Sequence, residues 1–284
     1  MNSFNSMLQL FQETLCDIYE KSEIDAIFYR LMFDLFGLEK SKIITGKLNP
    51  VSDLLYNKAI KCLVRLKNYE PIQYITHKTY FYGLDLSIRS KVLIPRPETE
   101  ELVDRCINDI TNKSRVLDVG TGSGCIALAI AKNRPQADIT GIDISKTAIE
   151  VAERNAKQLG LSVTFLMHDI FNLPENFYQN RFDVIISNPP YVKNFEKLSM
   201  HKNVIDFEPL EALFVNDDNP LIYYREIVKV ATLILSKNGT VWVEINENSG
   251  HDTVDIFKEY FNFVELYKDF KNKNRFVKSS KLIV

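Results

Sequence analysis

The sequence predicts an α/β protein in which a small helical domain precedes a doubly wound, mostly parallel seven-stranded sheet with an antiparallel last strand. Three observations support this prediction. The N-terminal part has apolar residues at helical spacing, the longer remainder alternates helices with strands, and several strands are apolar on both faces. Residues 184–186 (Val-Ile-Ile) and 241–243 (Val-Trp-Val) are of this last kind, which is typical of parallel strands buried between helical layers.

Residues 1–78 are expected to form the helical domain. Apolar side chains recur three or four positions apart in three successive stretches. Ser22 is placed to cap the second helix and Gly37 to end it, while Ser52 is placed to begin the third. The segment contains few glycines or prolines, so a compact helical bundle is expected.

A β-hairpin around Gly83 is expected to link the two domains over residues 79–95. Large apolar residues occupy alternate positions from Tyr80 to Ile88, which is the period of a β-strand. Prolines follow directly and end the pattern, so the domain boundary is placed here.

Residues 96–284 are expected to form the second domain, around the sheet. Its predicted strands cover residues 115–119, 138–142, 163–167, 182–187, 240–245, 263–270 and 275–284. Helices between most of them give the order of a doubly wound parallel sheet. The joint between the last two strands, residues 271–274, is too short for a parallel crossover, so the last strand must run antiparallel.

Composition narrows the class of function. The net charge is −2 and like charges form no runs, whereas a protein that holds nucleic acid usually carries a basic stripe, so no stable nucleic-acid partner is expected. The four cysteines form no Cys-x-x-Cys pair and do not cluster with the four histidines, so no metal site is expected. Neither a membrane span nor a secretion signal is apparent, which predicts a cytoplasmic protein.

A glycine-rich loop follows the first strand of the predicted sheet. Ligands of open parallel sheets bind beyond the carboxyl ends of the strands, so the loop is expected to contact a cofactor through Gly120, Thr121, Gly122, Ser123 and Gly124. The third glycine comes one residue early for the dinucleotide pattern, and the Asp118 carboxylate before the glycines would repel a pyrophosphate. The loop therefore favours S-adenosylmethionine over NAD.

Acidic residues follow the next two strands. Asp143 is placed to accept hydrogen bonds from ribose hydroxyls, with a cap for the helix that begins near Ser145 as the less favoured alternative. Asp169 is placed to accept from an adenine amino group while Ile170 covers the ring, although Asp169 also fits a plain loop residue.

The most specific feature is Asn188-Pro189-Pro190-Tyr191, directly after the fourth strand. An amide or aromatic amine nitrogen is a poor nucleophile because its lone pair is delocalised. The Asn188 side-chain oxygen and the Pro189 carbonyl are predicted to accept one N–H each and so fix an NH2 group, while the prolines stiffen the backbone that carries these acceptors. Tyr191 is predicted to offer a flat face to the planar group.

These residues resemble the amino-methylating class I methyltransferases. Within that class the chain resembles the peptide chain release factor glutamine N5-methyltransferases, through residues 70–75 (Glu-Pro-Ile-Gln-Tyr-Ile), 93–100 (Leu-Ile-Pro-Arg-Pro-Glu-Thr-Glu), 207–209 (Phe-Glu-Pro), 212–213 (Ala-Leu), Asp269 and Arg275. These stretches span nearly the whole chain. The Pro-Arg-Pro-Glu-Thr-Glu segment is specific to the family, whereas the Asn-Pro-Pro-Tyr loop is shared with adenine-N6 enzymes.

The resemblance implies a substrate, the glutamine in the Gly-Gly-Gln loop of bacterial class 1 release factors, with release factors 1 and 2 as partners docked on the helical domain. It implies cofactor contacts at Gly120 to Gly124, Asp143, Ile170 and Asn188, and amide contacts at Asn188 to Tyr191. It places Pro95, Arg96, Glu98 and Thr99 beside the methionine end of the cofactor, although from the residues alone these four equally fit a linker and a helix start. A monomer is expected.

The sequence departs from the family pattern at three places. His77 stands where the family usually has glycine, residues 215–220 replace a glycine-rich segment, and residues 246–249 (Asn-Glu-Asn-Ser) replace the glycine of Glu-Ile-Gly and a nearby glutamine. These departures are expected to affect loop conformation and docking rather than the reaction.

Two other functions stay open from the sequence. Adenine-N6 methylation of DNA or RNA would use the same loop, but it must flip a base out of a duplex and usually brings a basic groove or a recognition domain. A non-catalytic binding protein is the other alternative, because a fold alone does not establish activity.

Overall fold

A computed structural model describes residues 2–283 and confirms the predicted fold class; residues 1 and 284, the outer limits of the two predicted domains, lie outside the described part. The chain divides into two compact units. The first comprises residues up to Lys78 together with His201–Glu208, and the second comprises Thr79–Met200 together with the chain from Pro209 onward. No helix within residues 2–283 has the length and apolar character needed to cross a membrane.

The first unit consists of helices, which are α1 (Phe4–Leu15), α2 (Lys21–Phe36), α3 (Lys40–Thr45), α4 (Asp53–Lys67) and α5 (Ile72–Thr76). Their apolar faces meet in one buried cluster. At its centre the rings of Phe11 and Phe28 pack edge to face, with centroids 5.2 Å apart. The spacing of apolar residues thus places each helix against the others, as the sequence predicts.

Two of the three residues that the sequence predicts to begin or end these helices do so. Gly37 ends α2 with φ of 65°, a left-handed conformation in which glycine has no Cβ to clash. The Ser52 side chain caps α4 by accepting from the Leu55 amide at 3.3 Å. The prediction for Ser22 is wrong, because α2 begins at Lys21 after Glu20 and Ser22 lies inside its first turn.

Two further details belong to this unit. His77, at the end of α5, has φ of 58°, the conformation that glycine adopts most readily, which gives a physical reason for the glycine usual in the family that the chain resembles. The segment His201–Glu208, which the sequence prediction assigned to the second domain, carries α9 (Lys202–Ile205). The His201 ring lies 6.1 Å from the Tyr19 ring, and the Lys202 ammonium lies 4.9 Å from the centre of the Tyr69 ring.

The strands of the chain are β1 (Lys78–Phe81), β2 (Leu84–Ser87), β3 (Arg115–Val119), β4 (Asp138–Asp143), β5 (Thr164–Met167), β6 (Phe182–Ser187), β7 (Val192–Lys193), β8 (Phe214–Val215), β9 (Leu235–Glu244), β10 (Phe261–Lys268) and β11 (Asn274–Leu282). Strands β1 and β2 form a hairpin, and β7 pairs with β8. The other seven form one sheet in the order β10-β11-β9-β6-β3-β4-β5. Strand β11 runs antiparallel to both of its neighbours, β10 and β9, so the prediction from the short last joint is confirmed.

The helices of the second unit cover both faces of this sheet, and are α6 (Pro97–Cys106), α7 (Cys125–Asn133), α8 (Lys146–Leu159), α10 (Ile222–Ile234) and α11 (Gly250–Lys258). Neighbouring strand residues contribute to opposite faces: Val116 packs in the cluster with α6, α7 and α8, and Leu117 in the cluster with α10 and α11. Because both faces are buried at the centre of the sheet, β3 and β6 are mostly apolar. Polar residues therefore gather where the strands end.

Candidate active site

A cavity of about 300 Å³ opens at the carboxyl ends of β3, β4, β5 and β6. The chain runs outward from β3 to β5 and then returns to β6 on the other side of β3, which is the reversal at which α/β sheets bind ligands. The cavity lies wholly in the second unit. Of the residues predicted from the sequence, those that line it are Pro95, Arg96, Thr99, Gly120, Thr121, Gly122, Ser123, Asp143, Asp169, Ile170, Asn188, Pro189 and Pro190.

Four predicted residues do not line the cavity: Asp118, Gly124, Glu98 and Tyr191. Asp118 is fully buried. Gly124 precedes α7 with φ of 79°, and a Cβ added there would lie 3.0 Å from the Ala152 side chain, so its lack of a side chain serves packing. Glu98 instead forms an ion pair with the Lys271 ammonium at 2.9 Å.

Asp118 lies behind the glycine-rich loop. Its Oδ2 accepts from the Thr121 hydroxyl at 2.6 Å, which holds the loop to the end of β3. Burial raises the pKa of Asp118 to about 7, so its negative charge is incomplete near neutral pH. The predicted repulsion of a pyrophosphate by this carboxylate is therefore weakened, because the group is both partly protonated and outside the cavity.

The backbone amides of the loop give a stronger argument about the ligand. The Gly120 and Thr121 amides both donate to the Ile142 carbonyl, at 2.9 and 3.0 Å, and the Gly124 amide donates to the Thr121 carbonyl at 2.8 Å. The Gly122 amide donates to Asp143 Oδ2 at 2.9 Å. A phosphate-binding loop instead directs such N–H groups at its ligand. The loop is thus suited to a cofactor without a phosphate at this position.

Asp143 accepts two backbone hydrogen bonds beside the loop, whereas the cap of α8 is Ser145, whose hydroxyl accepts from the Ala148 amide at 3.3 Å; the ribose contact of Asp143 stays a prediction. The Oδ1 of Asp143 accepts from the Ser145 amide at 2.8 Å just before α8, and its Oδ2 accepts from the Gly122 amide. Burial raises the pKa of Asp143, while these two hydrogen bonds act in the opposite direction. Each carboxylate oxygen has a second lone pair, so Asp143 retains acceptor capacity toward the cavity that it lines.

The wall after β5 is mostly apolar and aromatic. Asp169 caps a single 3-10 turn, with its Oδ1 accepting from the Phe171 amide at 2.9 Å, and Ile170 is buried beside it. The Phe171 and Tyr223 rings, whose centroids are 5.3 Å apart, line the same cavity. Sequence reasoning did not identify these two aromatic residues, although the position of Phe171 next to Ile170 was a usable signal.

Asn188 is held at the end of β6 by its amide nitrogen. Its Nδ2 donates to the Thr99 hydroxyl at 3.0 Å, and that hydroxyl donates to Glu244 Oε2 at 2.8 Å. Among the residues that the structure describes, neither Asn188 Oδ1 nor the Pro189 carbonyl oxygen accepts a hydrogen bond, and Asn188 Oδ1 is not sealed from solvent. Both oxygens of the predicted acceptor pair are therefore available to a ligand.

Tyr191 is fixed by its hydroxyl, which donates to Glu244 Oε1 at 3.0 Å. The Tyr224 hydroxyl donates to the Glu244 carbonyl at 3.1 Å. The Glu244 side chain is fully buried, and this burial raises its pKa to about 7. Sequence reasoning did not include Glu244 in the site, although an acid at the end of an otherwise apolar strand was the available signal.

Two of the departures from the family pattern touch the loop that follows Tyr191. Asn246 Nδ2 donates to Glu196 Oε1 at 3.2 Å and approaches the Tyr191 carbonyl at 3.5 Å. Asp217 Oδ1 accepts from the Phe195 amide at 3.3 Å. The replaced residues thus support the conformation of this loop, which is the kind of effect that the sequence predicts for them.

Residues 110–263 match the model of a protein family described as "Methyltransferase domain". A release factor glutamine methyltransferase of Flavobacterium psychrophilum is 39% identical over 277 residues, which cover 94% of this chain and 95% of the relative. The protein of the same name from Bacteroides thetaiotaomicron is 36% identical over 98% of this chain and 100% of the relative. A crystal structure of a methyltransferase from Pyrococcus furiosus superposes with a TM-score of 0.53 at 18% identity, covering 81% of this chain and 96% of that one, and supports the fold.

Proposed function

Because the chain belongs to the release factor glutamine methyltransferase family, we propose that it transfers the methyl group of S-adenosylmethionine to the side-chain amide nitrogen of the glutamine in the Gly-Gly-Gln loop of a peptide chain release factor. One observation carries the proposal within the site. Two oxygens at the end of β6, Asn188 Oδ1 and the Pro189 carbonyl, accept no hydrogen bond from any residue in 2–283, and they border a cavity that fits a cofactor.

The acceptor pair suits a primary amide because such a group has two N–H bonds to satisfy. Asn188 and Pro189 each accept one of them, so the NH2 group is held in a single orientation and solvent is excluded from it. The buried Pro189 ring and the tether from Asn188 to Thr99 keep these oxygens in place before the substrate arrives. No general base is needed before attack, since the N-methylated cation loses its proton readily.

The cavity fits S-adenosylmethionine in its shape and its polar groups. Its volume of about 300 Å³ lies within the range of small-ligand sites. When bound, S-adenosylmethionine supplies an electrophilic methyl group on a sulfonium. We assign Asp143 to the ribose hydroxyls, Asp169 and Ile170 to the adenine, and the loop Gly120–Gly124 to the methionine end together with Pro95, Arg96 and Thr99. Asn188 borders the site of transfer.

We further propose that the helical unit docks the release factor, that release factors 1 and 2 are both accepted, and that the enzyme works as a cytoplasmic monomer without a stable nucleic-acid partner. The names of the relatives support a release factor as substrate. We assign Tyr191 to offer its flat face to the planar amide group, and its hydroxyl, bonded to Glu244, fixes the ring.

A methylation assay with purified components tests the function. The protein is incubated with labelled S-adenosylmethionine and either release factor 1, release factor 2, the same factors with the loop glutamine replaced by alanine, or duplex DNA. We expect label on the two unaltered factors only, with mass spectrometry locating one methyl group on the glutamine. Label on duplex adenine instead would establish the alternative, and failure of S-adenosylmethionine to bind in calorimetry would indicate a non-catalytic protein.

A further inference from the structure

Three residues from distant parts of the sequence form one chain of hydrogen bonds behind the acceptor pair. Asn188 Nδ2 donates to Thr99 Oγ1 at 3.0 Å, and Thr99 Oγ1 donates to Glu244 Oε2 at 2.8 Å. The Thr99 and Glu244 side chains are almost completely buried, with 2% and 1% exposure. Water is thereby excluded from the two inner members of the chain, so their hydrogen bonds are to each other and to protein neighbours.

The direction of each hydrogen bond is fixed by the chemistry of Glu244. In its ionised form Glu244 can only accept, so both hydroxyls that reach it, those of Thr99 and Tyr191, then donate their single proton to it. Thr99 then has only lone pairs to offer Asn188. Asn188 must present its NH2 to Thr99, and its Oδ1 is left for the substrate.

The opposite arrangement of the Asn188 amide would be unproductive. An asparagine side chain has nearly the same shape after its oxygen and nitrogen exchange places, so packing alone does not distinguish the two states. With the amide reversed, an N–H donor would face the N–H of the substrate amide. Something other than shape must therefore select the productive state.

We propose that Thr99 and Glu244 are positioning residues that select the orientation of the Asn188 amide, so that its oxygen, and not its nitrogen, meets the substrate NH2. Neither residue exchanges a proton with the substrate. Their effect is carried entirely by Asn188, and the inference rests on the proposed function of the site. It extends the catalytic machinery to β9 and α6.

The first test is a set of substitutions measured with the intact enzyme and release factor. Thr99→Val keeps the shape and removes the hydroxyl, and we expect kcat to fall about tenfold, as for one hydrogen bond lost from a charged network, with KM for the release factor changed less than about threefold. Thr99→Ser restores the hydroxyl and should restore most of the turnover. Glu244→Gln admits both amide orientations and should lower kcat by an intermediate factor.

The matched control is Thr253→Val. Thr253 is also fully buried in the second unit, and its hydroxyl donates to the Ser249 carbonyl at 2.8 Å. Removing this hydroxyl disturbs a buried hydrogen bond of the same kind without touching Asn188. We expect its kcat to match the wild type, whereas a loss equal to that of Thr99→Val would assign the effect to general destabilisation and overturn the inference.

A double-mutant cycle separates positioning from an independent role. If Thr99 acts only through Asn188, then Thr99→Val added to Asn188→Ala should change the residual rate by less than about twofold, because the two losses are not additive. An additive loss would overturn the inference. So would wild-type kcat in both Thr99→Val and Glu244→Gln.

Hydrogen exchange in the substrate-free enzyme tests the inference even where a variant loses activity for a reason unrelated to the Asn188 amide. In protein labelled with 15N at asparagine, the Asn188 side-chain NH2 should exchange slowly with solvent in the wild type and in Thr99→Ser, and faster in Thr99→Val. Equal exchange in all three contradicts the inference. A wild-type enzyme that leaves the release factor unmethylated would instead refute the proposed function, so the two failures are distinguishable.

Discussion

The Tyr191 hydroxyl donates a hydrogen bond of 3.0 Å to the carboxylate of Glu244, which ties the loop after β6 to the end of the neighbouring strand β9. Glu244 thereby joins two features of the site. Its other oxygen accepts from Thr99, which in turn holds Asn188. The rigidity of the acceptor pair comes from this neighbour in the sheet as well as from the two prolines.

The first prediction concerns the acceptor itself. Asn188→Ala should lower kcat by about a hundredfold or more, comparable to the loss of one preorganised hydrogen-bonding group elsewhere in catalysis. Binding of S-adenosylmethionine, measured by calorimetry, should be largely retained. Asn262→Ala, at an exposed position of β10, is the control and should be fully active; near-normal turnover of the Asn188 variant would contradict the role assigned to it.

The second prediction concerns Asp143. Asp143→Ala should weaken S-adenosylmethionine binding by about 1–3 kcal/mol, the range for a lost charge-assisted hydrogen bond. Asp138, at the opposite end of β4, forms only an exposed ion pair with Arg115 at 3.3 Å, so Asp138→Ala should bind the cofactor normally. An unchanged dissociation constant for the Asp143 variant would remove it from the cofactor site.

The third prediction separates backbone strain from contact with the cofactor. Gly120 and Gly160 both have positive φ, 73° and 66°, and a Cβ at either would meet no protein atom within 4 Å. Alanine at either position should therefore cost about 1–2 kcal/mol of stability through strain alone. Only Gly120 lines the cavity, so only Gly120→Ala should also raise the dissociation constant of the cofactor, by at least about tenfold. Equal cofactor binding by the two variants would argue against contact at Gly120.

The fourth prediction is a pH dependence of stability. Burial raises the pKa of Glu244 from its ordinary 4.5 to about 7, while Arg275 acts to lower it and Glu98 to raise it, and the Thr99 and Tyr191 hydroxyls donate to it. Between these two pKa values the folded state binds more protons than the unfolded state, so stability falls as pH rises. The loss from Glu244 amounts to about 3.5 kcal/mol at most, since one pKa unit corresponds to about 1.4 kcal/mol.

Urea denaturation of the ligand-free protein at pH 5 and pH 8 measures this effect. Glu244→Gln should reduce the difference between the two pH values. Asp118, whose pKa burial also raises to about 7, should account for a remaining part of it. An identical pH dependence in the wild type and the variant would show that Glu244 does not titrate in this range.

Local sequence patterns predicted the sheet and most of the cavity wall, for a physical reason. In a parallel sheet the residues after each strand reach the same edge, so the loops after β3, β4, β5 and β6 are brought together once the strands are recognised. Gly120, Asp143, Ile170 and Asn188 line one cavity for this reason. Local sequence patterns identify each of these residues, and the order of the strands in the sheet brings them together.

The remaining features depend on contacts between distant residues, which local patterns do not encode. Thr99 and Glu244 are separated by 145 positions, and neither has a pattern of its own beyond a helix start and a strand end. The beginning of β9 was likewise missed, because residues 236–239 (Ser-Lys-Asn-Gly) are polar although Leu235 pairs with Phe182. Pairing with a neighbouring strand outweighed the local preference for a turn.

The return of the chain to the helical unit at His201–Glu208 has a consequence for any truncation of this chain. A gene fragment that stops at codon 78 would encode α1 to α5 but not α9, and would expose the ring of Tyr19 that His201 faces. A single cut after residue 78 would therefore remove part of the helical unit.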